Sequence, residues 1–136
     1  MHGTGTEVGE AISGHMGIDV VSYTGSISIG KRVMERAAVN VKRVALELGG
    51  KSAAIVLSNA DLNKAVQKTV DDCMKNAGQT CIAITRLVLP RARMDEAAAL
   101  AKHYVAEYRL GDPGNEATTM GPLANARQFE RVKAFI

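Results

Sequence analysis

Short β-branched runs alternate with apolar residues at helical spacing along nearly the whole chain. That alternation restricts the fold more than any single residue does. "DVVSYT", Asp19 to Thr24, is short, β-rich and bounded by turn residues, which predicts a buried strand. Ser26 follows in position to cap a helix whose inner face is Ile29, Val33, Met34, Ala37 and Ala38. "RVALEL", Arg43 to Leu48, predicts the next strand, stopped by Gly49 and Gly50, and "AAIVL", Ala53 to Leu57, another. Asp61 is a natural N-cap for a helix with Leu62, Ala65, Val66, Val70, Cys73 and Met74 on one side. "TRLVLP" predicts a strand ending at Pro90, and Met94, Ala97, Ala98, Ala101, Tyr104, Val105 and Tyr108 then recur at helical spacing. Val8, Ala11 and Ile12 give a short helical face before Gly14, and Phe129, Val132 and Ile136 begin a last helix. Strands and helices in alternation predict an α/β fold with mostly parallel pairing. The chain opens on a glycine-rich turn and stops inside a helical pattern, so a segment of a longer polypeptide is expected.

Several function classes lose support at this point. The net charge is +3, but the basic residues are scattered among acids, and their longest clusters are the pairs at Lys31–Arg32 and Lys42–Arg43. No basic stripe or aromatic interleaving suggests nucleic acid. The two cysteines, Cys73 and Cys81, form neither a CxxC pair nor a zinc pattern, and they are too few for a disulfide framework. A reducing, cytoplasmic setting is expected, with no metal site. No apolar run is long enough to span a bilayer.

Four stretches carry candidate chemistry. "HGTGTEVG" has glycines at Gly3, Gly5 and Gly9, but Val8 stands where a dinucleotide fingerprint needs glycine. "YTGSISIG", Tyr23 to Gly30, joins a strand to a helix start. Its backbone N–H groups and the Ser26 hydroxyl suit a phosphate group; an ordinary serine-capped turn is the competing reading. Glu47 interrupts "VALELGG" with a charge at the C-terminal end of a strand, where α/β folds bind ligands. Partial burial would raise its pKa towards a useful general base, whereas simple alternation would leave it on a wet face. Cys73 falls on an apolar helical stripe and reads as core. Cys81 lies beyond the helix in "NAGQTC", with a small, flexible approach and free N–H groups, as a reactive thiol requires. His2, His15 and His103 show no pairing with it.

Taken together, "YTGSISIG", "LELGGKS", "NAGQTC", "TRLVLP" and "GDPGNEATTMGPL" resemble the aldehyde dehydrogenase superfamily, in order and in the interval of 34 positions from residue 47 to residue 81. The resemblance runs from Gly3 to Ile136. Tyr23, where the family usually has Phe, and Ile84, where relatives often carry Pro, depart from the pattern. The family likeness implies Cys81 as nucleophile and Glu47 as general base in the oxidation of an aldehyde by NAD or NADP, through a thiohemiacetal and a thioester. It implies that Gly25 and Ser26 contact the cofactor's pyrophosphate, that Gly30 closes that turn, and that the Leu48 carbonyl and Gly49 lie by the nicotinamide. Gly5 would approach the adenine. It further implies residues 1–47 as the end of a cofactor domain and residues 48–136 as the start of a catalytic domain. The complete parent would act on a small-molecule aldehyde as a homo-oligomer, and this piece alone would be inactive and marginally stable. Two rivals remain: a reductase of acyl phosphates on a related fold, and a non-catalytic α/β relict kept as a structural module.

Overall fold

The computed structural model describes residues 2–136 and divides into two compact units, Met1–Gly50 and Lys51–Ile136. In the first, a π-helical turn at Gly5–Gly9 runs directly into helix α1, Glu10–Gly14. Strand β1, Val20–Gly25, then leads through helix α2, Ile27–Ala37, to strand β2, Arg43–Leu48. The two strands pair in parallel from Val20 opposite Arg43 to Gly25 opposite Leu48. Parallel neighbours need a crossover rather than a tight turn, and α2 is that crossover.

The start of α2 obeys capping chemistry. Ser26 has extended backbone and its hydroxyl accepts from the Ile29 N–H at 3.4 Å, satisfying one of the helix's unpaired donors. The buried face differs from the expected one. Gly30, Val33 and Ala37 are buried, while Ile29 and Met34 are 49% and 56% exposed. The reason is the close approach of α2 to β2: a Cβ on Gly30 would lie 2.7 Å from Leu48 Cδ2. A side chain there would have to push the Leu48 side chain aside, so Gly30 lies at the centre of the buried face with Val33 and Ala37. Helix α1 is fastened to α2 by the Glu10 carboxylate, which receives Arg32 Nε at 2.7 Å and Arg36 Nε at 3.1 Å. The Arg32 hydrogen bond in particular holds Glu10 below the usual carboxylate range.

The second unit repeats the strand–helix–strand plan. Strand β3, Ser52–Ile55, is followed by helix α3, Leu62–Met74, and strand β4, Ile84–Val88, which pairs with β3 in parallel. The β3 strand begins and ends earlier than the apolar run suggested, although the Val56 N–H still reaches the Val88 carbonyl at 2.8 Å. Asp61 caps α3 as expected, its carboxylate accepting from the Lys64 N–H at 3.1 Å. Helix α4, Met94–Ala106, lies against α3, and Val56, Leu62, Val66, Val70 and Ala97 form the core between them, joined at its edge by Leu100, Tyr104 and Tyr108. Tyr108 donates to Asp71 at 2.9 Å, and burial together with that bond raises its pKa. Helix α5, Ala126–Lys133, is capped by Asn125, and its Phe129 and Val132 are exposed rather than packed. Ile55, Leu57, Ile82 and Leu110 are likewise exposed. Among the described residues no helix is long and apolar enough to cross a membrane.

Candidate functional site

In the first unit, the parallel register gathers most of the expected cofactor residues at the C-terminal ends of two strands. Gly25 stands opposite Leu48 and Thr24 opposite Glu47. Gly30 packs its bare Cα against the Leu48 side chain, so the turn after β1 and the end of β2 are held together. Gly49 is exposed, with open space where a side chain would be. Beyond the Ser26 cap, the Ser26 and Ser28 hydroxyls lie 3.1 Å apart. The Ser26 N–H itself donates to the Tyr23 hydroxyl at 3.2 Å. Sequence reasoning did not foresee that bond, although the tyrosine was its signal.

Glu47 is exposed in this chain, so of the two readings open from the sequence, partial burial and simple alternation, the structure has the second. Exposed and half-buried residues alternate along β2, with Val44, Leu46 and Leu48 turned inward and Glu47 outward. Strand geometry sends successive side chains to opposite faces, and Glu47 is on the wetter one.

The second unit presents Cys81 by less ordinary means. Helix α3 ends at Met74, and a short 3₁₀ stretch follows in which Asn76, Ala77 and Gly78 all have positive φ, at 53°, 55° and 75°. Glycine adopts this left-handed region freely, but Ala77 does so against the clash of its Cβ with backbone. The flexible approach expected before the cysteine is therefore a fixed left-handed turn. Hydrogen bonds hold it. Asn76 Nδ2 donates to the Gln79 carbonyl at 3.3 Å, and Gln79 Nε2 donates back to the Asn76 carbonyl at 3.0 Å. Gln79 Oε1 meanwhile accepts from the Ala124 N–H at 2.8 Å, tying the turn to the loop before α5.

The two thiols differ in the expected direction, although Cys73, read from its apolar stripe as core, lies outside the core cluster. Cys81 is exposed and Cys73 partly buried, and both are free. Among the described residues no hydrogen bond takes up the Cys81 N–H, whereas the Thr80 carbonyl next to it accepts from Ala83 at 3.2 Å. Ile84 opens β4 opposite Ser52. The histidines stay apart from this chemistry: the His15 ring accepts from the Gly17 N–H, and His103 lies beside Glu107 on an exposed helix face. No group of three His, Cys, Asp or Glu among the described residues could hold a metal ion. A cavity of about 270 Å³, unforeseen from sequence, opens behind the left-handed turn, lined by Asp71, Met74, Asn76, Ala77, Tyr108 and Met120 among others.

Comparison with known proteins brings these observations together. The model of the "Aldehyde dehydrogenase family" matches residues 1–136. A 3-succinoylsemialdehyde-pyridine dehydrogenase from a Pseudomonas species is 46% identical over 133 residues, covering 98% of this chain and 28% of that protein. Among solved structures, aldehyde dehydrogenase C from Pseudomonas syringae, a cysteine-to-alanine mutant complexed with NAD+ and octanal, superposes with a TM-score of 0.96 at 46% identity. It is covered over 28% of its length, and this chain over 100%. Betaine aldehyde dehydrogenase from Staphylococcus aureus in complex with NAD+ has a TM-score of 0.93 at 35% identity, with 98% of this chain and 26% of that one covered. The chain thus spans under a third of the length of these relatives.

Proposed function

This chain belongs to the aldehyde dehydrogenase family, and from that premise we propose that it is a segment of an enzyme oxidising an aldehyde to a carboxylic acid with NAD+ or NADP+. Residues 1–47 would close the cofactor domain and residues 48–136 open the catalytic one. The observation that carries the reading is Cys81: an exposed free thiol beside an unengaged backbone N–H, on a turn fixed by hydrogen bonds.

The residues near the cofactor's expected position fit it. The α2 N-terminus and the Ser26 hydroxyl suit a diphosphate, and Gly49, exposed with open space where a side chain would be, leaves an approach at the end of β2. NAD+ in the crystal structures of two relatives supports the same choice. When bound, the nicotinamide supplies the hydride acceptor. The Cys81 thiolate would attack the aldehyde carbon, forming a C–S bond and an oxyanion that the Cys81 N–H stabilises. Collapse of that oxyanion releases hydride and leaves a thioester on Cys81. Glu47 then takes a proton from water, the resulting hydroxide attacks the thioester, and the C–S bond breaks to give the carboxylic acid and the thiolate. The exposure of Ile55, Leu57 and Ile82 agrees with surfaces that the remainder of the enzyme covers.

The test uses the complete enzyme. Glu47→Gln should abolish steady turnover while a single burst of reduced cofactor persists, because acylation precedes the step that needs the base. Turnover unaffected by Glu47→Gln would instead favour an acyl-phosphate reductase. Iodoacetamide should label Cys81 far faster than Cys73; two equally sluggish thiols would favour a non-catalytic module.

A further inference from the structure

Tyr23 is placed where the proposed cofactor contacts begin, and its hydroxyl is committed to one of them. That oxygen accepts the Ser26 N–H at 3.2 Å. It also lies so near Gly25 that a Cβ there would overlap it. The other groups at this helix start are differently engaged. The Ser26 hydroxyl serves the Ile29 N–H and lies beside the Ser28 hydroxyl, and the first amides of α2 have no partner within the helix. The Ser26 amide is thus held by a side chain from the strand before the helix, whereas the Ile29 amide is held by the helix's own capping serine.

We propose that the Tyr23 hydroxyl sets the affinity for the dinucleotide by competing with its diphosphate for the Ser26 N–H. The proposal rests on the reading of Ser26 as a diphosphate contact. The physical logic is an exchange. A phosphate oxygen is charged and makes the stronger hydrogen bond, so it wins the amide. The displaced phenol is half-buried and must give up its bond on binding. Forfeiting one neutral hydrogen bond weakens binding about two- to tenfold. The effect falls mainly on dissociation, since a preformed internal bond does not slow encounter. Tyr23 would therefore speed release of the reduced cofactor.

The decisive variant is Tyr23→Phe in the complete enzyme, which deletes only the oxygen. Dissociation constants are measured for NADH, for ADP-ribose, which keeps the diphosphate, and for adenosine, which lacks it. NADH and ADP-ribose should bind about two- to tenfold more tightly to Tyr23→Phe, with adenosine unchanged. Ser26→Asp serves as the companion variant, because aspartate keeps the helix cap but sets a carboxylate against the diphosphate. If Ser26→Asp leaves ADP-ribose binding intact, the diphosphate reading itself fails. If Ser26→Asp weakens ADP-ribose binding and Tyr23→Phe leaves it unchanged or weaker, only the competition proposed for Tyr23 is overturned. Equal tightening of adenosine would also overturn it, since the effect would then not pass through the phosphates.

Discussion

The two turns that carry the candidate chemistry are built by opposite means. Tyr23 to Ser26 follows local rules: a strand ends, a serine caps, and a right-handed helix begins with extended backbone at Ser26. Asn76 to Cys81 leaves its helix through three consecutive left-handed residues, two of which are not glycine. Each such residue costs on the order of 1 kcal/mol. That conformation persists because Asn76, Gln79 and Ala124 hold it with hydrogen bonds. The turn at Tyr23 to Ser26 is made from ordinary local structure. The turn before Cys81 is fastened partly within itself, between Asn76 and Gln79, and partly from outside, by the Ala124 N–H.

The largest expected effect separates two glycines. Gly78→Ala meets nothing closer than the Cys73 carbonyl oxygen at 3.6 Å, an ordinary contact, so its whole cost is its φ of +75°. That cost is about 1–2 kcal/mol. Gly25→Ala meets only the far end of the Tyr23 side chain, which can swing aside, and should cost less. Denaturant unfolding of the complete protein measures both, and equal losses would break the contrast between the turns.

Gln79→Ala tests the fastening. It removes the bonds to the Asn76 carbonyl and the Ala124 N–H, a loss of about 1 kcal/mol for two solvent-accessible bonds. The alkylation rate of Cys81 should change severalfold while that of Cys73 stays the same. A Cys81 rate that does not move would mean the clasp ends at Gln79.

The smallest effect concerns acid. Arg32 holds the Glu10 carboxyl below its usual range, and Lys68 and Lys75 do the same for Asp72. A carboxylate whose folded pKa is depressed adds stability above its unfolded pKa and loses it as pH falls through the folded one. Glu10→Gln and Asp72→Asn should each flatten the acid limb of melting temperature against pH. The change should be modest, because both carboxylates pair with partners that lie largely in water. A steep, unaltered limb in both variants would place the acid sensitivity elsewhere.

Much of this was legible before any coordinates. Strand β2 runs from Arg43 to Leu48 as the apolar pattern required, and Ser26 and Asp61 cap the helices they precede. The cysteines separate because one lies on an apolar stripe and the other in a polar turn. On α2, Val33 and Ala37 are buried as the spacing predicts while Ile29 and Met34 are not, and Gly30 joins the buried face although it contributes nothing to an apolar pattern, because it lies against Leu48. The left-handed backbone at Asn76 and Ala77 was hidden for a related reason: only Gly78 announces such geometry by its residue type.

Periodicity, capping residues and spaced motifs determined the α/β plan, the family and the residues worth testing, because those signals arise between neighbours along the chain. Tertiary structure alone decided that Gly25 would face Leu48, that Gln79 would reach the Ala124 amide 45 positions away, and that the Tyr23 oxygen would take the Ser26 N–H. Such contacts depend on register, on the closeness of packing and on side-chain direction, and these become defined only when elements meet in space.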